Sequence, residues 1–202
     1  MTPNPHGLSP TTRRRTHGAL LATALGAVSL ITAAGISDAA VDPLELSAWT
    51  QLGADIDGAT PDIQSGNAVS LSADGTTVAI GASYGNSGTG YVSVLRWNGT
   101  TWTQLGTDID GEALNDYSGS AVSLSADGTT VAIGATHSDE AGNDAGHVRI
   151  HQWNGTTWTQ LGADIDGEAA SDYSGYAVSL SADGTTVAIG APSNDGNGDN
   201  AG

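Results

Sequence analysis

The sequence predicts an all-β fold in which four-stranded antiparallel units repeat along the chain, and three observations predict it. The stretch AVSLSADGTTVAIGA occurs unchanged at 68–82, 121–135 and 177–191. The motif WTQLG begins at Trp49, at Trp102 and again at residue 158, which sets a repeat of 53 to 56 residues. After residue 40 the apolar residues alternate in short runs bounded by Gly, Asn and Asp, a pattern typical of strands.

A hairpin is predicted inside each copy of the repeated stretch. The dipeptide Asp74-Gly75 favours a two-residue primed turn, which needs positive φ at both central positions. A turn at this point places Leu71 opposite Val78 and Val69 opposite Ile80. The other face of the hairpin carries small side chains, which suit a close approach by a neighbouring unit.

A second hairpin joins the strand YVSVLRW at 91–97 to the following WTQLG strand. Its turn contains Asn98-Gly99, and Asn154-Gly155 repeats it in the next unit. Val92 lies on one face of this hairpin and Trp97 on the other, so neither face is suited to water. Four strands with two faces that need cover predict the blade of a β-propeller. A β-sandwich is the alternative, although its outer faces are normally polar.

An export signal is predicted for residues 1–39. Three arginines at 13–15 form the positive region, the weakly apolar run 18–36 follows, and 37–39 offers a small-x-small cleavage site. The alternative is a retained membrane anchor, because the apolar run is nearly long enough to cross a bilayer. Cleavage would leave no membrane span in the mature chain.

Residues 40–202 then form the repeat domain. Its units are predicted at about 49–101, 102–157 and 158–202, and the third stops before its last two strands. So few blades cannot close a propeller ring, and the uncovered faces of the terminal blades would tend to associate with other chains. We therefore expect that the chain is part of a longer reading frame or associates with copies of itself.

The charge of the chain excludes several classes of partner. The net charge is −17, there is no lysine, and beyond residue 39 only Arg96 and Arg149 are cationic. Such a surface repels nucleic acid and anionic lipid. The chain has no cysteine, so no disulfide stabilises it.

The segment SGYAVSLSADGTTVAIGAP at 174–192 resembles the FG-GAP repeat, the blade unit of integrin alpha chains and of many bacterial surface proteins. The family glycine is kept at Gly66, Gly119 and Gly175, whereas a serine replaces the preceding phenylalanine. The resemblance implies a seven-bladed propeller in the full family form. It also implies a role in adhesion or ligand capture outside the cell.

One departure from the family concerns calcium. Many members carry an aspartate-rich calcium loop between the first two strands of the blade, and here only Ala-Asp-Gly stands there. Three residues are too few to surround a cation that needs six to eight oxygens. Asp74, Asp127 and Asp183 are therefore interpreted as turn-forming residues.

Two other acidic loops in each unit are the candidate calcium sites, because alternating Asp-x-Asp pairs place carboxylates on one side of a strand. The alternative is that these loops are solvated turns. The candidate residues are Asp108, Asp110, Glu112, Asp116, Asp139, Asp144, Asp164, Asp166, Glu168, Asp172, Asp195 and Asp199.

The sequence gives little support to catalysis. There is no cysteine, no serine lies in a nucleophile-elbow pattern, and no two carboxylates stand out as a glycosidase pair. His137, His147 and His151 occur in one unit only, and partly exposed strand histidines are expected rather than a metal trio. The recurring tryptophans are expected to pack the blades rather than to stack sugars.

These observations predict a secreted or cell-surface repeat protein that binds a protein or glycan ligand without catalysis. Binding that depends on calcium in the acidic loops is one form of this prediction. Two alternatives are a carbohydrate-active enzyme on the same scaffold and a purely structural surface or matrix component.

Overall fold

The computed structural model describes residues 27–28, 31–33 and 49–202. The predicted signal segment therefore lies outside the described residues, apart from strands β1 (Ala27–Val28) and β2 (Ile31–Ala33). In the described part every regular element is a strand except for one 3₁₀ turn at Gly85–Gly88. The predicted all-β class is confirmed.

The remaining strands follow the repeat of the sequence. From here on a unit means one sheet, which ends with a WTQLG strand, whereas each predicted unit begins with one. Before and within the first unit the strands are β3 (Trp49–Gln51), β4 (Ile56–Asp57), β5 (Ser65–Leu71), β6 (Thr77–Ala82), β7 (Tyr91–Trp97), β8 (Trp102–Gln104) and β9 (Ile109–Asp110). In the second unit they are β10 (Ser118–Leu124), β11 (Thr130–Ala135), β12 (His147–Trp153), β13 (Trp158–Gln160) and β14 (Ile165–Asp166). The third unit contributes β15 (Ala177–Leu180) and β16 (Val187–Gly190).

Two complete sheets share one topology. Strands β5, β6, β7 and β8 pair antiparallel in sequence order, and β9 pairs with the start of β7. Strands β10 to β13 repeat this order, with β14 beside the start of β12. The outer strand of each sheet is therefore broken into two segments, β8 and β9 in the first sheet and β13 and β14 in the second. The WTQLG motifs that begin at Trp102 and Trp158 each form the fourth strand of the sheet that precedes them in the chain. The predicted four-stranded blade is confirmed.

The predicted register of the first hairpin is confirmed, because Leu71 pairs with Val78 and Val69 with Ile80. The predicted primed turn is wrong. Gly75 has a positive φ of 69°, but Asp74 does not. The strands are joined by a longer loop, since Asp74 uses its carboxylate to close it and needs no left-handed backbone.

Asp74 forms the turn through hydrogen bonds to its side chain. Its Oδ1 accepts bonds from the Ser72 hydroxyl at 2.7 Å and the Thr76 N–H at 2.9 Å. These bonds, that from Ser72 first, lower the pKa of Asp74 to about 2. Asp127 and Asp183 have the same contacts in their own copies. The interpretation of the three aspartates as turn-forming residues is confirmed.

Neighbouring units approach most closely at a pair of glycines. A Cβ added to Gly134 in β11 would lie 2.1 Å from the carbonyl oxygen of Gly175, and one added to Gly81 would lie 2.0 Å from that of Gly119. No side chain fits at that distance. The Gly-Ala that ends β6 and the Gly-Ala that ends β11 therefore each meet the Ser-Gly of the next unit across the junction, at 118–119 and 174–175.

Two further contacts join the units. The Ser70 hydroxyl accepts a hydrogen bond of 2.9 Å from the Leu124 N–H, and Ser123 repeats this bond with Leu180. At the outer edge, the indole Nε1–H of Trp102 donates to the Leu52 carbonyl at 3.0 Å. The equivalent Trp158 donates to Leu105 at 2.9 Å. The small inner face and the packing role of the tryptophans are both as predicted.

Burial shows that the units cover each other's faces. Val122 and Leu124 on β10 are 9% and 6% exposed, whereas Val69 and Leu71 in the identical sequence of β5 are 53% and 48% exposed. The difference arises because β5 and β6 pack against β10. The described residues thus form a series of propeller-type blades, two of which have all four strands.

Strands β1 and β2 occupy the place beside β4 and β3 that β7 occupies beside β9 and β8. Ala27 pairs with Asp57 as Tyr91 pairs with Asp110. Ile31 likewise pairs with Gln51 in the register of the next unit. The broken outer strand β3–β4 is therefore paired in the same way as its repeat copy.

Replacing Gly134 with Ala should destabilise the fold by more than about 2 kcal/mol, because the new methyl group would meet backbone that cannot move aside. Gly190 is the matched control. It stands at the same place in the third unit, where an added Cβ has no neighbour closer than 3.4 Å. Gly190→Ala should change stability by less than about 1 kcal/mol. Chemical denaturation measures both, and equal losses would contradict the proposed role of the close approach.

Replacing Leu124 with Ala should cost about 2–5 kcal/mol, since the side chain is buried between two units. The same change at Leu71, in an identical sequence but half exposed, should cost less than about 1 kcal/mol. Urea unfolding followed by tryptophan fluorescence compares the two. A loss at Leu71 as large as that at Leu124 would show that stacking between units is not the source of burial.

Candidate functional site

The two ends of the blades differ in how strictly they repeat. At one end lie the short hairpin turns, which contain the invariant SADGTT and WNGTT sequences. At the other lie the loops 83–90, 111–117, 136–146 and 167–173. The loops 83–90 and 136–146 differ in length and composition, whereas 111–117 and 167–173 have the same length and differ at two positions. We call this second end the variable-loop end. Functional residues are expected there, because a site is a local exception within a repeat.

A row of rings runs across the variable-loop end and spans all three units. Tyr84 and Tyr117 lie 4.9 Å apart between ring centroids, Tyr117 and His137 lie 4.8 Å apart, and His137 and Tyr173 lie 5.3 Å apart. Tyr84 is 48% exposed and the other three rings are partly buried. We call these four residues the aromatic row. Such rings can contact a ligand with little loss of conformational entropy.

Beside the aromatic row, four potential metal ligands converge. Glu112, Glu140, His147 and Asp164 each bring one ligand atom to within 4.8 Å of the others. We call them the His147 cluster. Glu112 follows β9 of the first unit, and the other three belong to the second unit. The cluster therefore lies across the junction between the units.

His147 is the buried member of the cluster. Its side chain is 1% exposed, and its Nδ1 makes no hydrogen bond. The nearest carboxylate oxygen, Asp164 Oδ2, is 3.9 Å from Nδ1, which is too far for a hydrogen bond. Burial lowers the pKa of His147, so the ring is neutral at pH 7 and can act as a ligand.

The charges around the cluster are only partly balanced. Arg149, which is buried, places Nη1 3.1 Å from Glu112 Oε1 and donates from Nη2 to the Asp110 carbonyl at 2.6 Å. Desolvation, followed by repulsion from Glu112 and Asp164, raises the pKa of Glu140. Three carboxylates and one guanidinium leave two negative charges without a partner in the cluster.

The first unit carries no such cluster at the equivalent place. Asp108 corresponds to Asp164, and each accepts a hydrogen bond from the glutamine four residues before it. The strand register sets Tyr91 where His147 stands. The sequence sets Ala59 where Glu112 stands. The cluster is therefore specific to the second unit.

Of the twelve predicted carboxylates, only Glu112 and Asp164 join this cluster. Asp116 and Asp172 are buried, and each accepts an N–H bond from three residues earlier, from Ala113 and Ala169. They close loops and are not members of the His147 cluster. Burial raises the pKa of Asp116.

The other predicted carboxylates are mostly exposed and lie in separate loops. Asp110 accepts a bond from Asn86, whereas Asp108 accepts from Gln104. Asp139 and Asp195 each accept the N–H five residues later, as their alignment predicts. The rest are the partly buried Asp144 and the exposed Asp166, Glu168 and Asp199. Apart from the His147 cluster, residues 49–202 contain no grouping of three metal-binding side chains. Calcium binding by the loops remains a prediction.

The expectation of partly exposed histidines on this strand is wrong. His147 and His151 are 1% and 7% exposed, because the end of the first unit covers their face of β12. His137 lies in the aromatic row instead, so the three histidines do not meet. Sequence reasoning missed Glu140 and His147 as a pair. The departure from the repeat at Tyr91 and His147 is the signal that could have found them.

Replacing His151 with Leu, the residue at this position in the first unit, should reduce the loss of stability in acid. Burial, and then Arg149, lower the pKa of His151 from 6.5 to about 4. The unfolded chain therefore binds more protons as the pH falls from about 6.5 to about 4, and stability declines over that range. His151→Leu should flatten the slope by up to about 1.4 kcal/mol per pH unit. Urea unfolding at several pH values measures it, and an unchanged slope would contradict the assignment.

Comparison with known proteins adds the following. No protein-family model matches the chain, and no curated protein sequence is similar to it. Among solved structures, the chain is similar to TolB from Acinetobacter baumannii, with 16% sequence identity and a TM-score of 0.40. The match covers 72% of this chain but only 30% of TolB. In the part of the chain that the structure describes, no helix has the length and apolar composition needed to cross a membrane.

Proposed function

We propose that the protein is a non-catalytic binding module of the FG-GAP type, secreted or held at the cell surface, and that its variable-loop end captures a protein or glycan. This proposal rests on one observation, which is that the two ends of the blades differ in how strictly their sequence repeats. The residues that join one unit to the next recur, whereas the loops that differ most between units, 83–90 and 136–146, lie at one end.

The recurring residues make structural contacts between units, and these contacts explain why the residues recur. The glycines at 81 and 134 permit close approach, Ser70 and Ser123 bond to the next inner strand, and Trp102 bonds to the previous outer strand. None of these recurring residues is available as a reactive group, because each already has a structural contact. A scaffold of this kind supports recognition by its loops and needs no chemistry of its own.

The aromatic row supports recognition of a ligand at this end. It presents a line of rings across three units, with acidic loops beside it. Rings of this kind stack on sugars and pack against proteins, and the surrounding carboxylates favour cationic or hydroxyl-rich partners. The export signal predicted for residues 1–39 supports a location outside the cell.

Replacing Tyr84 with Ala should weaken ligand binding at least tenfold, because Tyr84 is the exposed end of the aromatic row. The assay is binding to a glycan array and to a panel of purified extracellular matrix proteins. Tyr176→Ala is the matched control, since Tyr176 is 67% exposed but makes no ring contact within the row. That variant should bind like the unmodified chain.

Three results would contradict the proposal. Hydrolysis of a glycan that is lost on replacing single acids would indicate an enzyme. Absence of binding across both panels would indicate a structural component. Equal loss of binding in the Tyr84 and Tyr176 variants would place the binding surface elsewhere on the protein.

A further inference from the structure

The His147 cluster brings two kinds of metal ligand together across the junction of the first and second units. Three carboxylates and one imidazole nitrogen are within 4.8 Å of one another. Two of the carboxylates, Glu112 and Glu140, are exposed, so an acidic surface alone could explain them. His147 is different, because it is 99% buried and its Nδ1 has no hydrogen-bond partner.

An unpartnered buried nitrogen is costly unless something binds it. A buried polar atom without a partner has lost its hydrogen bonds to water and gained none in the protein, which destabilises the fold. The nearest acceptor, Asp164 Oδ2, is 3.9 Å away. A cation between the nitrogen and the carboxylates would satisfy His147 and compensate the two unbalanced negative charges of the cluster.

The ligand set identifies the kind of cation. Calcium and magnesium take oxygen ligands, whereas imidazole nitrogen favours first-row transition metals such as Zn²⁺. Zn²⁺ binds nitrogen and carboxylate oxygen at about 2.0–2.2 Å and normally takes four ligands. The cluster supplies four, and modest movement of the exposed glutamates would bring the ligand atoms to that distance. A carboxylate has two oxygens, so Glu112 can keep its ion pair with Arg149 through one oxygen and bind the metal ion through the other.

We propose that Glu112, Glu140, His147 and Asp164 bind one divalent transition-metal ion of the Zn²⁺ class. The ion joins the outer strand of the first unit to β12 of the second. The site shares Glu112 and Asp164 with the loop calcium sites predicted from the sequence, but it adds Glu140 and His147 and takes a different class of metal. It does not depend on the proposed binding function, because the metal would be held whether or not the variable-loop end captures a ligand.

The repeat supplies an internal control. Asp108 is the counterpart of Asp164 in the first unit and has the same glutamine partner, but Tyr91 and Ala59 replace the imidazole and the glutamate. The Asp108 carboxylate therefore has the same glutamine neighbour as the Asp164 carboxylate, but among the described residues no other metal ligands stand beside it. Non-specific attraction of cations to an acidic protein would affect both positions alike.

The test is isothermal titration calorimetry of the whole chain with ZnCl₂ after treatment with a chelator. The unmodified chain and Asp108→Asn should each bind one equivalent of Zn²⁺. Asp164→Asn and Glu140→Gln should bind at least about tenfold more weakly. Both carboxylates are at least partly exposed, so the variants should still fold, and circular dichroism checks this. Zinc should raise the melting temperature of the unmodified chain and of Asp108→Asn more than that of the other two.

Three outcomes would overturn the inference. These are no stoichiometric zinc binding by the unmodified chain, equal weakening in Asp108→Asn and Asp164→Asn, and tighter binding of Ca²⁺ than of Zn²⁺ at the same residues. Loss of ligand capture in the Tyr84 variant leaves the zinc titration unchanged. Failure of the metal site and failure of the proposed function can therefore be told apart.

Discussion

The stacking of neighbouring units depends on how closely two backbones approach at the start of the inner strand. Gly81 faces the carbonyl of Gly119, and Gly134 faces that of Gly175, with no room for a methyl group in either pair. This approach brings the Ser70 hydroxyl to the Leu124 N–H and the Trp102 indole to the Leu52 carbonyl. Side chains at these glycines would separate the sheets, and the hydrogen bonds between units would be lost with the packing.

The same stacking decides which residues form the core. Core residues of the first and second sheets, such as Val94 and Val131, belong to one cluster, because the cover for each sheet comes from its neighbour. A unit at the end of the series has the same sequence but one uncovered face, as the exposure of Leu71 shows. Burial in this protein is thus a property of the junction between units, as expected for a repeat protein.

Departures from the repeat carry the chemistry that distinguishes one unit from another. Where the first sheet has Tyr91 and Ser93, with Ala59 in the loop before it, the second sheet has His147 and Arg149, with Glu112 in the loop before it. These three replacements put a buried imidazole, a buried guanidinium and an acid at one junction. The aromatic row lies at the same end of the blades. Constancy at the turns and variation at the loops therefore separate the scaffold from the surface at which we propose that a partner binds.

The strands, the register of the first hairpin and the turn role of Asp74 can be predicted from the sequence, because they depend on alternation and on residues close along the chain. The positive φ pattern of that turn cannot, because side-chain hydrogen bonds replace a primed geometry there. The burial of His147 and His151, and the position of Glu112 and Glu140 beside His147, follow from the folded arrangement of the units. These residues are brought together by the packing of one unit on the next, and the glycine approach that sets this packing joins positions about forty residues apart, such as Gly81 and Gly119.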